Sequence, residues 1–180
     1  MAGNLFVISD MHWYHEKVLE FGPRPFDTVE ECVETMVELW NNVVDKRDTV
    51  LCLGDVGMSV RGYDVFKRCN GYIRLIMGNH DKGTLKALLN KNIQTVHGSF
   101  QKKDILFTHM PTMLDPYHPK IHYVVHGHWH GTHQRVDDIR YYNANCDHQQ
   151  RWEPISLEEI KQEFARRKFQ RLWGYLGEDE

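Results

Sequence analysis

Two short segments near the start of the chain place side chains where they could bind metal ions. In Asp10-Met11-His12 a carboxylate and an imidazole are separated by one residue, so an extended backbone would direct both to the same face and to one ion. Asp55 follows Gly54, which permits a sharp turn at the end of a strand. Because the two oxygens of a carboxylate can each bind a cation, we interpret Asp55 as the candidate for bridging two ions.

Three further segments supply more donors in order along the chain. Gly78-Asn79-His80-Asp81 offers an amide oxygen that can bind a metal and an imidazole that can donate a proton to a leaving group. His109 follows an apolar run, and His126-Gly127-His128-Trp129-His130 contains alternating histidines. Each motif alone is common by chance, and a lone histidine in an apolar stretch is more often a hydrogen-bonded core residue. Their shared position after successive predicted strands is what favours one metal site.

The elements that must position these side chains are short strands. Apolar runs rich in strand-forming residues predict six of them, at residues 5–9, 49–53, 72–77, 105–108, 123–125 and 140–142. Helical spacing of apolar residues predicts a helix capped by Asp27 or Thr28. Further helices are predicted at about 63–69, at about 83–89 and from about residue 156, where Ser156-Leu157-Glu158-Glu159 is a capping-box pattern. No linker-like segment interrupts the chain, so we predict a single domain over residues 1–180.

The composition is that of a soluble globular protein. Of 180 residues, 41% are hydrophobic and 26% charged, and 22 Lys plus Arg against 25 Asp plus Glu give a net charge of −3, which disfavours a dedicated nucleic-acid binder. The four cysteines lie in apolar stretches without CxxC spacing, which is typical of buried, reduced thiols. We find no signal peptide and no apolar run of about 20 residues, and therefore expect a cytoplasmic protein with no membrane partner.

With these residues in place, the chain resembles the calcineurin-like metallophosphoesterase superfamily, whose blocks read DxH, GD, GNH with a following acid, a later His, and GHxH. All five blocks occur in the family's order between residues 10 and 130. His15, Arg24-Pro25-Phe26, Trp40-Asn41 and residues 154–160 are also similar to a small single-domain bacterial and phage subgroup.

The resemblance implies an α/β (α+β) fold: a four-layer αββα sandwich of two packed mixed sheets flanked by helices, with a dinuclear metal centre at the strand ends. By residue-by-residue carry-over, one metal is held by Asp10, His12, Asp55 and His130, and the other by Asp55, Asn79, His109 and His128. His80 then stands beside the phosphate as acid or charge stabiliser. Two further catalytic candidates are Asp81, as the carboxylate that orients the His80 imidazole, and His15, as a contact of the scissile phosphate.

The implied cofactors are two divalent metal ions. The mixed Asp, Asn and His donors suit Mn²⁺, Fe or Zn²⁺ better than Ca²⁺, and we expect Mn²⁺, with Fe, Zn²⁺ and Ni²⁺ as alternatives. Two cations about 3.5 to 4 Å apart would neutralise phosphate charge, lower the pKa of a bridging water and orient it for in-line attack. The expected enzyme is therefore a hydrolase, a dinuclear metal-dependent phosphoesterase.

The substrate class rests on weaker signals. No cap domain is encoded, and Trp13, Tyr14 and Trp129 could either stack on a base or pack in the core. We favour a phosphodiesterase acting on small nucleotide-type substrates. The alternatives are a phosphomonoesterase or a nuclease with the same centre, or a metal-binding interaction protein without turnover. The basic run Arg166-Arg167-Lys168 keeps a nucleic-acid partner open, although its acidic neighbours favour a solvated helix face.

Overall fold

The computed structural model describes residues 3–21, 24–81, 92–131 and 139–173. The strands in these ranges are β1 (Leu5–Ile8), β2 (Thr49–Cys52), β3 (Tyr72–Ile76), β4 (Ile93–His97), β5 (Phe100–Lys102), β6 (Ile105–Phe107), β7 (Tyr123–His126), β8 (Tyr141–Asn143) and β9 (Ile155–Ser156). The helices are α1 (Val18–Phe21), α2 (Val29–Val43), α3 (Val60–Asp64), which a 3₁₀ turn at Val65–Arg68 continues, α4 (Cys146–Gln149) and α5 (Leu157–Trp173).

These strands form two mixed sheets. The first has the order β4-β3-β2-β1-β9, in which β1 to β4 are parallel and β9 is antiparallel to β1. The second has the order β5-β6-β7-β8, in which β6 to β8 are parallel. A single parallel bridge between Ser9 and Asn145 joins the chain just beyond β1 to the chain just beyond β8. The carboxyl ends of both sets of parallel strands therefore meet at one edge of the molecule.

Both faces of the first sheet are buried. Side chains on a strand alternate between faces, and in β2 the buried Val50 and Cys52 belong to one apolar cluster while Leu51 belongs to another. The first cluster includes the apolar face of α2. The second combines residues of both sheets with Ile160 and Phe164 of α5. Burial on both faces fixes the register of the strands, because a slip of one residue would exchange the two clusters.

The two predicted helix starts that carry capping signals are present. Of the two candidate caps of α2, Thr28 is the one used: its Oγ1 accepts a hydrogen bond from the backbone N–H of Glu31 at 3.1 Å, and the Glu31 carboxylate accepts one from the Asp27 N–H at 2.8 Å. This is a variant of the capping box, because the Glu31 carboxylate accepts from the N–H of the residue before the cap rather than from that of Thr28. At the start of α5, Ser156 Oγ accepts from the Glu159 N–H at 3.1 Å. Both helices therefore begin where the sequence indicates.

The α/β architecture with two packed mixed sheets and helices is as predicted, and all six predicted strands are present. The sequence reasoning missed β4, β5, β9 and the one-turn helices α1 and α4. The helix predicted at 63–69 is instead α3 followed by a 3₁₀ turn. The helix predicted at 83–89 lies outside the described residues. Over the described ranges, no helix has the length and apolar character needed to cross a membrane.

Candidate metal centre

The DxH segment leaves β1 in a conformation that the sequence reasoning did not anticipate. Asp10 and His12 have φ angles of 61° and 48°, in the left-handed region, so the backbone is not the extended stretch we expected. Backbone hydrogen bonds hold it beside the second strand end: the Asp10 N–H donates to Gly54 O and the His12 N–H to Asp55 O, both at 3.0 Å. The two side chains nevertheless converge, because this kinked path turns both toward the same edge.

Left-handed backbone recurs at two of the other five ligand candidates. Asp55 has φ 52° and His128 has φ 69°. Such conformations cost roughly 1–3 kcal/mol for a residue with a side chain and persist only where surrounding structure imposes them. Their clustering at the strand ends marks this edge of the sheets as a functional site.

Two glycines of the motifs are required by close approach. A Cβ at Gly127 would overlap Ser9 Oγ and Asp10 Oδ2, and a Cβ at Gly78 would overlap Asp55 Oδ1 and lie 2.5 Å from Asp55 N. The glycine in each of these blocks therefore lets one strand end approach the carboxylate on another.

The first group of donors comprises Asp10, His12 and His130, whose candidate ligand atoms all lie within 4.8 Å of one another. Asp10 Oδ1 is 3.7 Å from His130 Nε2. Both Asp10 oxygens also accept from the backbone N–H of His128, at 3.0 and 3.2 Å. That hydrogen bond fixes the carboxylate against the loop that carries the last two histidines.

The second group comprises Asp55, His109 and His128, again within 4.8 Å of one another. His109 Nδ1 lies 2.8 Å from Leu53 O, and a proton on Nδ1 would leave the Nε2 lone pair free for a metal. His109 Nε2 lies 2.8 Å from Asn79 Oδ1, which adds Asn79 to this group.

Asp55 lies between the two groups. Its Oδ2 is 3.4 Å from His109 Nε2 of the second group and 3.7 Å from His12 Nε2 of the first. Its other oxygen accepts from the His80 N–H at 2.9 Å. The structure thus brings all seven predicted metal ligands to one edge, with Asp55 in the intermediate position that a bridging ligand needs.

The electrostatics of the site suit cations. Burial raises the pKa of the Asp10 carboxyl to about 6, and burial also lowers the pKa of His12 and of His128. Despite burial, hydrogen bonds to the carboxylates of Asp55 and Asp147 raise the pKa of His109 and His130, so a metal must displace a proton from either of these imidazoles when it is charged. Neutral imidazoles offer the lone pair that a metal requires. Carboxylate, amide and imidazole donors together fit borderline transition metals rather than the oxygen-rich sites of Ca²⁺.

Comparison with known proteins gives the same family as the motifs. The model of the calcineurin-like phosphoesterase superfamily domain matches residues 4–151. The chain belongs to this superfamily. A protein of unknown function from Aquifex aeolicus has a similar solved structure, with a TM-score of 0.70 at 24% identity over 89% of this chain and 98% of that one. The likeness to that structure shows the fold alone.

Two curated relatives match over shorter stretches. An uncharacterized protein of Methanocaldococcus jannaschii is 39% identical over 82 residues, which are 43% of this chain and 47% of the relative. The gene 66 protein of Mycobacterium phage L5 is 35% identical over 83 residues, 43% of this chain and 40% of the relative. The matches cover less than half the length of either relative.

In this phosphoesterase domain, two further histidines adjoin the first donor group. The ring centroid of His80 lies 5.5 Å from that of His12, and the ring centroid of His15 lies 5.9 Å from it. Both side chains are partly exposed. The structure therefore places both predicted catalytic histidines at the rim of the candidate centre, where a substrate can reach them.

Asp81 has different partners from those predicted. Its Oδ2 accepts from the N–H groups of Asp55 and Gly78 at 2.9 and 2.8 Å, and its Oδ1 accepts from Val56 N–H at 3.0 Å and Tyr63 Oη at 2.6 Å. The prediction that it orients the His80 imidazole is therefore wrong. The buried carboxylate instead fixes the backbone on either side of the bridging candidate.

The aromatic residues next to the motifs mostly pack. Trp13 is 1% exposed and contacts Trp40 and Phe66 in the core, which rules out stacking on a base. Tyr14 lies under the Arg61 guanidinium, 3.6 Å from its ring centroid, and lines a surface pocket with His15.

Trp129 and the nearby His126 also contact each other within the fold. Trp129 packs edge-on against the buried His126, whose Nδ1 lies 2.8 Å from Gly127 O. His126 is thus a strand-end histidine whose ring contacts the backbone.

Sequence reasoning underrated two residues. Arg24 and Asp147 form an ion pair whose side chains are fully buried, and Asp147 Oδ2 lies 2.6 Å from His130 Nδ1. Arg24 was recognised only as part of a flanking motif. The sequence carries no local signal that pairs it with Asp147, because the two residues are 123 positions apart.

Proposed function

We propose that this domain is a metal-dependent phosphodiesterase that hydrolyses small nucleotide-type esters, with Mn²⁺ as the ion at both donor groups. The observation that carries the proposal is the position of Asp55 Oδ2, between His12 Nε2 at 3.7 Å and His109 Nε2 at 3.4 Å. One carboxylate oxygen shared by two donor groups is the arrangement that holds two cations side by side. Bound there, the cations would neutralise phosphate charge and activate a water for in-line attack.

The protein's own residues hold this arrangement and handle the proton. Asp10, His12 and His130 would hold one ion, Asn79, His109 and His128 would hold the other, and Asp55 would serve both. His80 is held at the rim by its backbone N–H, which donates to Asp55 Oδ1. From there its imidazole donates a proton to the departing ester oxygen. His15, whose ring centroid lies 5.9 Å from that of His12, would bind a phosphate oxygen.

A neighbouring cavity supports a diester over a monoester. It has a volume of about 460 Å³ and shares Asn79 and His109 with the second donor group. Apart from His109, its walls are uncharged, with apolar side chains such as Leu106 and Met110 and hydroxyls such as Thr112. An uncharged wall next to the reacting phosphate suits the second substituent of a diester, such as a nucleoside, better than a further phosphate.

The test compares bis(p-nitrophenyl) phosphate with p-nitrophenyl phosphate as substrates of metal-stripped protein to which Mn²⁺ is added back. We expect metal-dependent turnover that is faster on the diester. Asp55→Asn should reduce the turnover rate at least about a hundredfold, because it removes several kcal/mol of transition-state stabilisation. Asp48→Asn is the matched control, since Asp48 is also a buried, hydrogen-bonded carboxylate but lies at the opposite end of β2.

The role of His80 is tested by leaving-group dependence. His80→Ala should slow diesters with poor leaving groups by about 10²- to 10⁴-fold and should slow nitrophenyl esters much less, because a good leaving group needs no proton. Equal losses on both would remove His80 as the acid. Stoichiometric Mn²⁺ binding without turnover of any ester would instead support the interaction-protein alternative.

A further inference from the structure

A buried guanidinium and carboxylate lie directly beneath the first donor group. Arg24 Nε is 2.6 Å from Asp147 Oδ1, and Arg24 Nη2 is 3.1 Å from Asp147 Oδ2. The two residues are 123 positions apart in the chain, and neither side chain is exposed. This is a two-pronged pair, the geometry in which an arginine fixes a carboxylate in both position and orientation.

Asp147 extends this pair to a metal ligand. Its Oδ2 is 2.6 Å from His130 Nδ1. An ionised carboxylate accepts hydrogen bonds only, so Nδ1 carries the proton and Nε2 keeps its lone pair. That lone pair is on the side of Asp10, whose Oδ1 is 3.7 Å from Nε2. Asp147 thus sets both the tautomer and the ring orientation that metal binding requires.

Arg24 extends the pair to the other ligands of the same group. Its Nη2 donates to Asp10 O at 3.0 Å and its Nη1 donates to Met11 O at 2.9 Å. These carbonyls belong to the segment that carries Asp10 and His12, whose left-handed backbone needs external support. One guanidinium therefore joins the DxH segment to the carboxylate that orients His130.

Stability alone does not account for this pair. Burying two charges is costly, and apolar residues of similar volume are often as stable in the same place. Arg24 also contacts the Sγ atoms of Cys32 and Cys146 and the Trp152 ring. The side-chain hydrogen bonds from the pair to oxygen or nitrogen, however, go to one donor group: two carbonyls of the DxH segment and the His130 ring. The second group has its own carboxylate, Asp81, which does not contact the pair.

We propose that Arg24 and Asp147 are positioning residues that preset the group of Asp10, His12 and His130 for a divalent cation. The affinity of this group for metal then depends on the pair, and the affinity of the group of Asp55, His109 and His128 does not. This inference concerns metal binding and goes beyond the proposed hydrolysis, so it can be confirmed or refuted without measuring substrate turnover.

The test measures Mn²⁺ binding by calorimetry and by the loss of the free-ion electron paramagnetic resonance signal. In Asp147→Asn, one of two equivalents should bind about 10- to 100-fold more weakly and the other should be unchanged. Arg24→Lys keeps the positive charge but cannot form two parallel hydrogen bonds to one carboxylate, so it should weaken binding of the same Mn²⁺ equivalent. Asp48→Asn, the distant buried carboxylate, should leave both equivalents as they are. Equal weakening of both equivalents, or of neither, would overturn the proposal.

Background variants identify which equivalent is affected. In His109→Ala, which disables the second group, adding Asp147→Asn should weaken the remaining equivalent by the same 10- to 100-fold or so. In His130→Ala, which removes the contact with Asp147, adding Asp147→Asn should weaken this equivalent less, because only the connection through Arg24 to the DxH segment remains. If Asp147→Asn weakened Mn²⁺ binding strongly in the His130→Ala background and not in the His109→Ala background, the assignment of the pair to the first donor group would be refuted.

A measurement on the unaltered, metal-free protein covers the case in which a variant fails to fold. Long-range ¹H–¹⁵N correlation spectra distinguish the two neutral tautomers of each histidine. At a pH where His130 is neutral, we expect its proton on Nδ1. A predominant Nε2–H form would show that Asp147 does not set this ligand.

Discussion

Adding a single methyl group at Gly127 tests how tightly the first donor group is built. In Gly127→Ala the new Cβ would overlap Ser9 Oγ and Asp10 Oδ2 and would lie 2.8 Å from Ser9 Cβ. Ser9 is fully buried and belongs to the bridge that joins the two sheets, so it has no space to withdraw. The carboxylate of Asp10 must therefore move.

The cost has two parts. Overpacking a buried position costs roughly 1–3 kcal/mol. Moving Asp10 also strains or breaks its hydrogen bonds from the His128 N–H, at 3.0 and 3.2 Å, and a hydrogen bond to a charged group contributes about 1.5–3 kcal/mol. We expect metal-free Gly127→Ala to lose about 3–5 kcal/mol of unfolding free energy. For a chain of this length, that lowers Tm by roughly 6–20 °C.

The assay is thermal unfolding with chelator present, followed by Mn²⁺ titration of whatever remains folded. Gly98→Ala is the matched control, since a Cβ at Gly98 would meet nothing within 4 Å. It should unfold near the unaltered temperature and bind metal normally. A Gly127→Ala protein with unchanged Tm and two full equivalents of bound Mn²⁺ would refute the claim that close approach at this glycine holds Asp10 in place.

Three more predictions follow from the same geometry. Asp81→Asn should lose about 2–4 kcal/mol in urea unfolding because an amide nitrogen would face N–H donors, whereas Tyr63→Phe, which removes one of the four bonds, should lose about 1 kcal/mol. Mn²⁺ affinity should fall as the pH drops towards 6 and below, by more than about tenfold per pH unit where several ligands titrate together, because metal must displace protons from Asp10, whose pKa burial raises to about 6, and from His109 and His130, whose pKa is raised by hydrogen bonds to Asp55 and Asp147 despite burial; a flat calorimetric profile would contradict this. At a free Mn²⁺ concentration of about 100 times the Kd of each donor group, chelation should remove about 2.7 kcal/mol for each of the two ions and lower Tm by roughly 10–20 °C, and Asp48→Asn should show the same shift from a lower starting point.

The fold was predictable where a local pattern and burial act together. Strands such as β2 and β7 are apolar runs buried in the structure, and α2 combines helical spacing with a capping box. The missed strands lack that signal. β9 has two residues and exists only through its pairing with β1, and β5 lies at the edge of its sheet with two of its three residues exposed. Such elements are set by tertiary contacts rather than by their own sequence.

The metal-ligand residues of the candidate site were predictable from the sequence, but the residues that hold those ligands in place were not. All seven metal-ligand candidates could be named because their motifs follow strand ends in a fixed order. The partners of Asp81 could not, because a carboxylate next to a histidine suggests a local contact, whereas three of its four hydrogen bonds reach residues 18 to 26 positions away. The pairing of Arg24 with Asp147 spans 123 positions and has no local signature at all.

Two buried carboxylates, Asp81 and Asp147, explain how the strained ligand positions persist. Asp55 has φ 52°, and its N–H and that of Val56 both donate to the Asp81 carboxylate. Asp10 has φ 61°, and its carbonyl accepts from Arg24, which is itself held by Asp147. Each donor group thus combines a left-handed carboxylate ligand with a buried carboxylate behind it that keeps this backbone in place. In a site that had to rearrange on metal binding, the strain of roughly 1–3 kcal/mol per residue would reduce the free energy of metal binding. Here the hydrogen bonds offset that strain within the fold. The donors are therefore in position before the cation arrives, and metal affinity depends on residues that never contact the metal.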